Sequence, residues 1–125
     1  MWSQDASTPT VGSCTCGTMT WLNAMGYIAC LNNANYLGYN DWRLPTGEEL
    51  VSITNEGETP YCEWLNGKGF TNVQPYWYWS STTFANFTGL AWAVGMYDGN
   101  VYDDDKYSLN YVWPVRTVSR LLDNL

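Results

Sequence analysis

Between Tyr76 and Trp113 the chain places twelve aromatic residues in 38 positions, with a single cation, Lys106, among them. The spacing is that of strands. Trp77 and Trp79 alternate with Tyr76 and Tyr78, Leu90 to Tyr97 forms a second extended run, and Asp98-Gly99-Asn100 is a hairpin turn into Val101-Tyr102. Successive side chains of a strand point to opposite faces, so about half of these rings can enter a core while the rest stay outside. Trp79, Trp92, Val94, Val101, Val112 and Trp113 are the expected core positions. Phe84, Asn86, Phe87, Asn100, Tyr102, Asp103, Asp104, Ser108, Asn110 and Tyr111 are expected in loops or on the outer face, beside Tyr76 and Trp77.

That outer set has the chemistry of an adaptable binding surface. Tyrosine gives contact area at low entropic cost, and Asn and Ser donate or accept as a partner requires. The rest of the composition narrows the partner. With twelve Asp and Glu against five Lys and Arg, the net charge is −7, the wrong sign for neutralising nucleic-acid phosphates or anionic membrane surfaces. The chain has no histidine, so the usual general base, the usual zinc ligand and every Ser-His or Cys-His nucleophile are excluded. An enzyme is therefore not expected, nor a cofactor or a metal site.

The first half has a different period. Trp21, Ala24, Met25, Ile28, Ala29 and Leu31 recur at helical spacing up to about Asn32. Thr46 and Glu49 form a capping box, with Leu50, Val51 and Ile53 as the buried face of a second short helix. Residues 54–75 read as loop, and Tyr111 to Val118 as a last strand with Pro114 marking an edge or bulge. Two helices followed by an antiparallel sheet is an α+β layout. Residues 1–13 read as loose and polar, within a lead-in segment 1–17; 18–119 read as one domain, and 120–125 as a tail.

Cys14, Cys16, Cys30 and Cys62 suggest two disulfides, with three connectivities open and Cys14–Cys16 disfavoured by closeness. A four-thiolate zinc site needs two closely spaced cysteine pairs, and Cys30 and Cys62 stand alone. Disulfides point to an oxidising compartment, although Met1 to Asp5 has neither the basic start nor the apolar run of a signal peptide. A cytoplasmic protein and an excised part of an exported one are the two readings, and the cysteines favour the second. No segment approaches the length of a membrane span.

Smaller constellations have structural readings. Asp103-Asp104-Asp105 could supply calcium ligands but is expected to be a solvated acidic turn, because consecutive side chains diverge. Asp41 and Arg43 flank Trp42 as an ion pair or a loop support. Glu48 and Glu49 suit the first turn of a helix. Asn86-Phe87-Thr88 is a formal glycosylation sequon.

One longer pattern resembles a known family. Asn40-Asp41-Trp42-Arg43-Leu44-Pro45-Thr46, with Glu49-Leu50, resembles the D-W-R-L-P-T-x-x-E-L signature of the C-terminal domain of bacterial collagen-like adhesins, the Lcl C-terminal family. The resemblance continues through Tyr78-Trp79-Ser80-Ser81-Thr82, Ala91-Trp92, Met96-Tyr97-Asp98-Gly99 and Val112-Trp113-Pro114-Val115-Arg116, and covers residues 18–117. It implies a C-type lectin-like fold, related to that of formylglycine-generating enzymes, in extracellular, surface or phage proteins. The same fold carries the variable proteins of diversity-generating retroelements, whose changing residues sit on late strands and loops. The Glu-Pro-Asn and Trp-Asn-Asp pattern of calcium-dependent lectins is missing, as are the late cysteines of the oxidases and the positive charge that glycosaminoglycan binding requires.

The expectation is thus a non-enzymatic recognition domain displayed outside a cell, on its surface or on a virion, with oligomers allowed. Its ligand is a protein or glycan of another cell or virus surface, with neither nucleic-acid binding nor membrane insertion. The preferred form is a retroelement variable protein; the alternative is a fixed carbohydrate-binding adhesin module.

Overall fold

The structure is a computed structural model and describes residues 1–54 and 57–118; the tail expected at 120–125 and the boundary expected at 119 lie outside them. Helix α1 spans Trp21–Asn33. The Thr20 hydroxyl caps its start by accepting from the Asn23 amide, and Ala24, Tyr27, Ile28 and Leu31 form its buried stripe. A short 3₁₀ turn, Tyr36–Gly38, follows, with Asn35 before it in the left-handed region. Helix α2 spans Gly47–Thr54. Its capping box closes as the sequence predicts: Glu49 N donates to Thr46 Oγ1 (3.1 Å) and Thr46 N to Glu49 Oε1 (2.8 Å). Only Leu50 and Thr54 are buried on it; Val51, expected inside, faces solvent.

A third helix, α3 (Tyr61–Asn66), lies within the stretch expected as loop. It buries Cys62 and Leu65, and its first turn is pinned where Tyr61 and Cys62 amides donate to the Tyr97 and Met96 carbonyls. At six residues it is too short for periodicity to show. The strands are β1 (Trp77–Thr83), β2 (Leu90–Gly95) and β3 (Val101–Asp105), antiparallel in the order β1-β2-β3, with a bulge in β1 between Trp79 and Thr83. The α+β class holds. The expected last strand does not form: Tyr111 and Val115 make isolated bridges, and Pro114 between them has no amide to continue a ladder.

The sheet has a core on each face. Trp79, Ala91 and Ala93 pack with α1, Trp42 and Val112 on one side; Tyr78, Val94 and Met96 pack with Leu50, Leu65 and Trp113 on the other. Residues 1–13 are not loose. Ser3, Ala6 and Thr8 are fully buried, and Thr8, held at a φ of 55°, donates its hydroxyl to the Val112 carbonyl (3.0 Å) and accepts from the Val112 amide (2.8 Å). Polar side chains gave this segment the look of a linker. Their hydrogen bonds to the chain's far end are what admit them to the interior.

One disulfide forms, Cys14–Cys30, tying that first segment to α1. The second expected bridge does not: Cys16 is exposed, and Cys62 is buried in the core on the opposite face of the sheet. Asp41 and Arg43 do not pair with each other either. Trp42 is buried between them, and they diverge, Asp41 to Arg116 (2.7 Å) and Arg43 to Glu49 (2.7 Å). The Arg43 guanidinium beside Glu49, before all other causes, lowers the Glu49 carboxyl to about 2. Hydrogen bonding to Arg116 likewise lowers Asp41. These pairs clasp the Asp41–Pro45 loop, the supporting role among the two weighed for it.

Candidate functional site

The residues expected on one outer face are divided by the sheet. At its β1 edge Trp77 packs edge-on to Tyr102 (centroids 4.4 Å apart) across β2. Gly95 permits this, since a Cβ there would meet the Trp77 ring at 3.1 Å. Tyr76 stacks beside Tyr111 (6.3 Å), and with Thr18, Leu109 and Asn110 these rings line a cleft of about 310 Å³. Tyr76 and Tyr102 are exposed, while Trp77 and Tyr111 are half-buried.

On the other face lies a larger apolar groove of about 510 Å³, lined by Gly47, Glu48, Val51, Ser52, Thr82, Trp92 and Val101. Phe84 stands edge-on to Trp92 (5.3 Å), and exposed Phe87 stacks on Phe84 (6.0 Å), extending the groove as an aromatic ridge. Asn86 is exposed on the tight turn where the Phe87 amide donates to the Phe84 carbonyl. The sequence placed Trp92 and Val101 in the core, but Trp92 is half-buried and Val101 is 45% exposed. The cause is geometric: α2 lies over β1 and β2 and leaves the same face of β3 bare. None of the seven lining residues was singled out as a site residue. The brevity of α2 beside a three-strand sheet is the signal that could have found them.

The polar candidates divide as well. Asp104 accepts from Ser108 Oγ (3.0 Å), Asn110 Nδ2 (3.0 Å) and the Asp105 amide (2.9 Å), a network that holds the loop after β3. Asn110 is therefore not an outer-face position: it is buried, and its backbone pairs with Met19 in both directions. Asn100 is exposed at the hairpin, where its amide and side chain donate to the Asp98 carboxylate. Asp103 is exposed within β3, so the acidic triplet belongs to a strand and not to a turn. Among the described residues, no group of three His, Cys, Asp or Glu side chains could hold a metal ion. What this surface offers is ring faces, hydroxyls and amides on a fixed backbone, a binding chemistry.

A family model described as the Lcl C-terminal domain matches residues 1–116. The chain belongs to the Lcl C-terminal domain family. The match starts at the first residue, earlier than the 18–117 span of the motifs, and so includes the segment that the fold builds into both cores. Membership in the Lcl C-terminal family supports a ligand-binding or adhesin domain of a surface protein. No curated protein matches the chain.

Proposed function

We propose that this Lcl C-terminal domain is a non-enzymatic ligand-recognition module, the variable binding protein of a diversity-generating retroelement, displayed outside a cell or on a virion. Its partner is a protein or surface receptor, bound by aromatic anchoring and adaptable hydrogen bonds. One observation carries this reading: the rings between Tyr76 and Trp113 form two populations. Trp79, Trp113 and Tyr78 are fully buried and donate to the carbonyls of Met19, Ser3 and Ala6. Tyr76, Tyr102, Tyr107 and Phe87 are more than half exposed, and among the described residues no hydroxyl of these tyrosines bonds to the framework. Side chains in the second group can change without disturbing the first, as a diversified surface requires. The Cys14–Cys30 bridge accords with an oxidising, extracellular setting.

Deep sequencing of the codons for residues 70–117 from the source population tests this. The expected result is substitution at the adenine-bearing codons of Tyr76, Asn100, Tyr102 and Asp103, with Trp79 to Ser81 and Trp113 to Arg116 constant. A uniform sequence would overturn the variable-protein reading in favour of a fixed carbohydrate-binding adhesin, which a glycan array would then have to support.

A further inference from the structure

We propose that the groove between α2 and β3 docks an extended cationic polypeptide segment, one carrying an aliphatic residue between lysines or arginines. The proposal rests on the recognition reading above and names the partner chemistry of one part of that surface. Three features converge on it. The groove is apolar at its floor and wall, with Trp92 and Val101 below and Val51 beside them, so it takes an aliphatic side chain. Its charge is of one sign. Glu48 lines it, and Asp103 stands opposite Trp92 in the β2–β3 register and so shares that face. Neither carboxylate has a hydrogen-bond or ion-pair partner among the described residues. Lys106, the nearest cation in sequence, is committed elsewhere, its ammonium 4.0 Å from the Trp21 ring and bonded to Thr83.

The third feature is the strand itself. β3 is the terminal strand of the order β1-β2-β3, so its outward edge at Val101 and Asp103 is open to an added strand, while Asp105 is closed off by Asp104 and the Ser108 amide. An added extended segment turns alternate side chains toward the groove. Acidic side chains on this edge repel a second copy of a chain whose net charge is −7, and the same charges attract a basic strand.

The test uses the intact chain and two fluorescent probe peptides, Lys-Val-Lys-Leu-Lys-Val-Lys and its Glu-for-Lys counterpart, with binding read by anisotropy. A third peptide, Lys-Ser-Lys-Ser-Lys-Ser-Lys, keeps the charge and drops the aliphatic groups. The lysine-valine peptide is expected to bind, and each of the other two roughly tenfold more weakly or worse. Val51→Arg should abolish that binding. The paired, nearly isosteric Glu48→Gln and Asp103→Asn should weaken it roughly tenfold and serve in its place if Val51→Arg does not fold. Absence of binding, equal binding of the three peptides, or indifference to the groove variants would overturn the proposal. Diversified codons alongside any of those results would sink the groove assignment and leave the recognition reading standing.

Discussion

Tyr78 and Tyr102 sit on two strands of one sheet, and they do opposite work. Tyr78 is fully buried, donates its hydroxyl to Ala6 (2.6 Å) and accepts from the Gln74 amide (3.0 Å). Burial raises its pKa above the ordinary tyrosine value. Tyr102 is 55% exposed and among the described residues touches one other ring, that of Trp77. The same residue type is thus framework where its polar atom is spent inside the protein, and surface where the ring is left exposed. Burial of the ring and satisfaction of its donor go together, because an orphaned hydroxyl or indole N–H inside costs about 1–3 kcal/mol.

The contrast is most strongly tested at the framework rings. Trp79→Ala or Trp113→Ala should cost about 3–5 kcal/mol in urea unfolding, since each removes a fully buried indole and strands a carbonyl. A loss below about 1 kcal/mol at either position would break the division into framework and display. Next in size is the Cys14–Cys30 bridge, which closes a sequence separation of 16. Replacing both cysteines by serine should destabilise by about 3 kcal/mol. Cys16→Ser should leave the unfolding midpoint unchanged, since Cys16 is exposed and forms no bridge.

A smaller effect is set by pH. The Glu49 carboxyl falls from 4.5 to about 2, chiefly through its hydrogen bond from Arg43. A lowered pKa means the stabilisation is whole above the unfolded value near 4.5 and is lost as pH falls from there toward 2. Both side chains are about a third exposed, so screening holds the contribution to about 1 kcal/mol or less. Glu49→Gln should flatten the stability profile across that interval, and an unchanged slope would show the clasp contributes nothing.

The parts of this molecule legible in its sequence are those set by local rules. The α1 stripe, the Thr46–Glu49 box and the Asp98–Asn100 hairpin each depend on residues within a few positions of one another, and each forms, save that Ala29 of the stripe is exposed and Tyr27 is buried instead. What was not legible depends on partners far along the chain. Ser3 and Thr8 are polar and read as linker, yet they are buried against Trp113 and Val112 over a hundred positions away. Val101 has the right phase for a core strand, and only the reach of α2 leaves it open. Asn110 has the composition of a contact residue but spends its amide on Asp104. Period tells which residues share a face; it does not tell whether anything covers that face.

The finest division falls among the exposed rings themselves. Tyr102 has a ring partner in Trp77, and such a pair contributes about 0.5–1.5 kcal/mol. Tyr107 is 87% exposed and has no ring partner among the described residues. Tyr102→Ala should therefore cost about 1 kcal/mol in unfolding. Tyr107→Ala should stay within about 0.5 kcal/mol of the parent. If display is the purpose of both, each should instead lower affinity for whatever ligand a binding selection recovers, and the two scales should not correlate. A Tyr107→Ala variant that unfolds as readily as Tyr102→Ala would mean that its ring supports the loop after β3, and residue 107 would then move from display to framework.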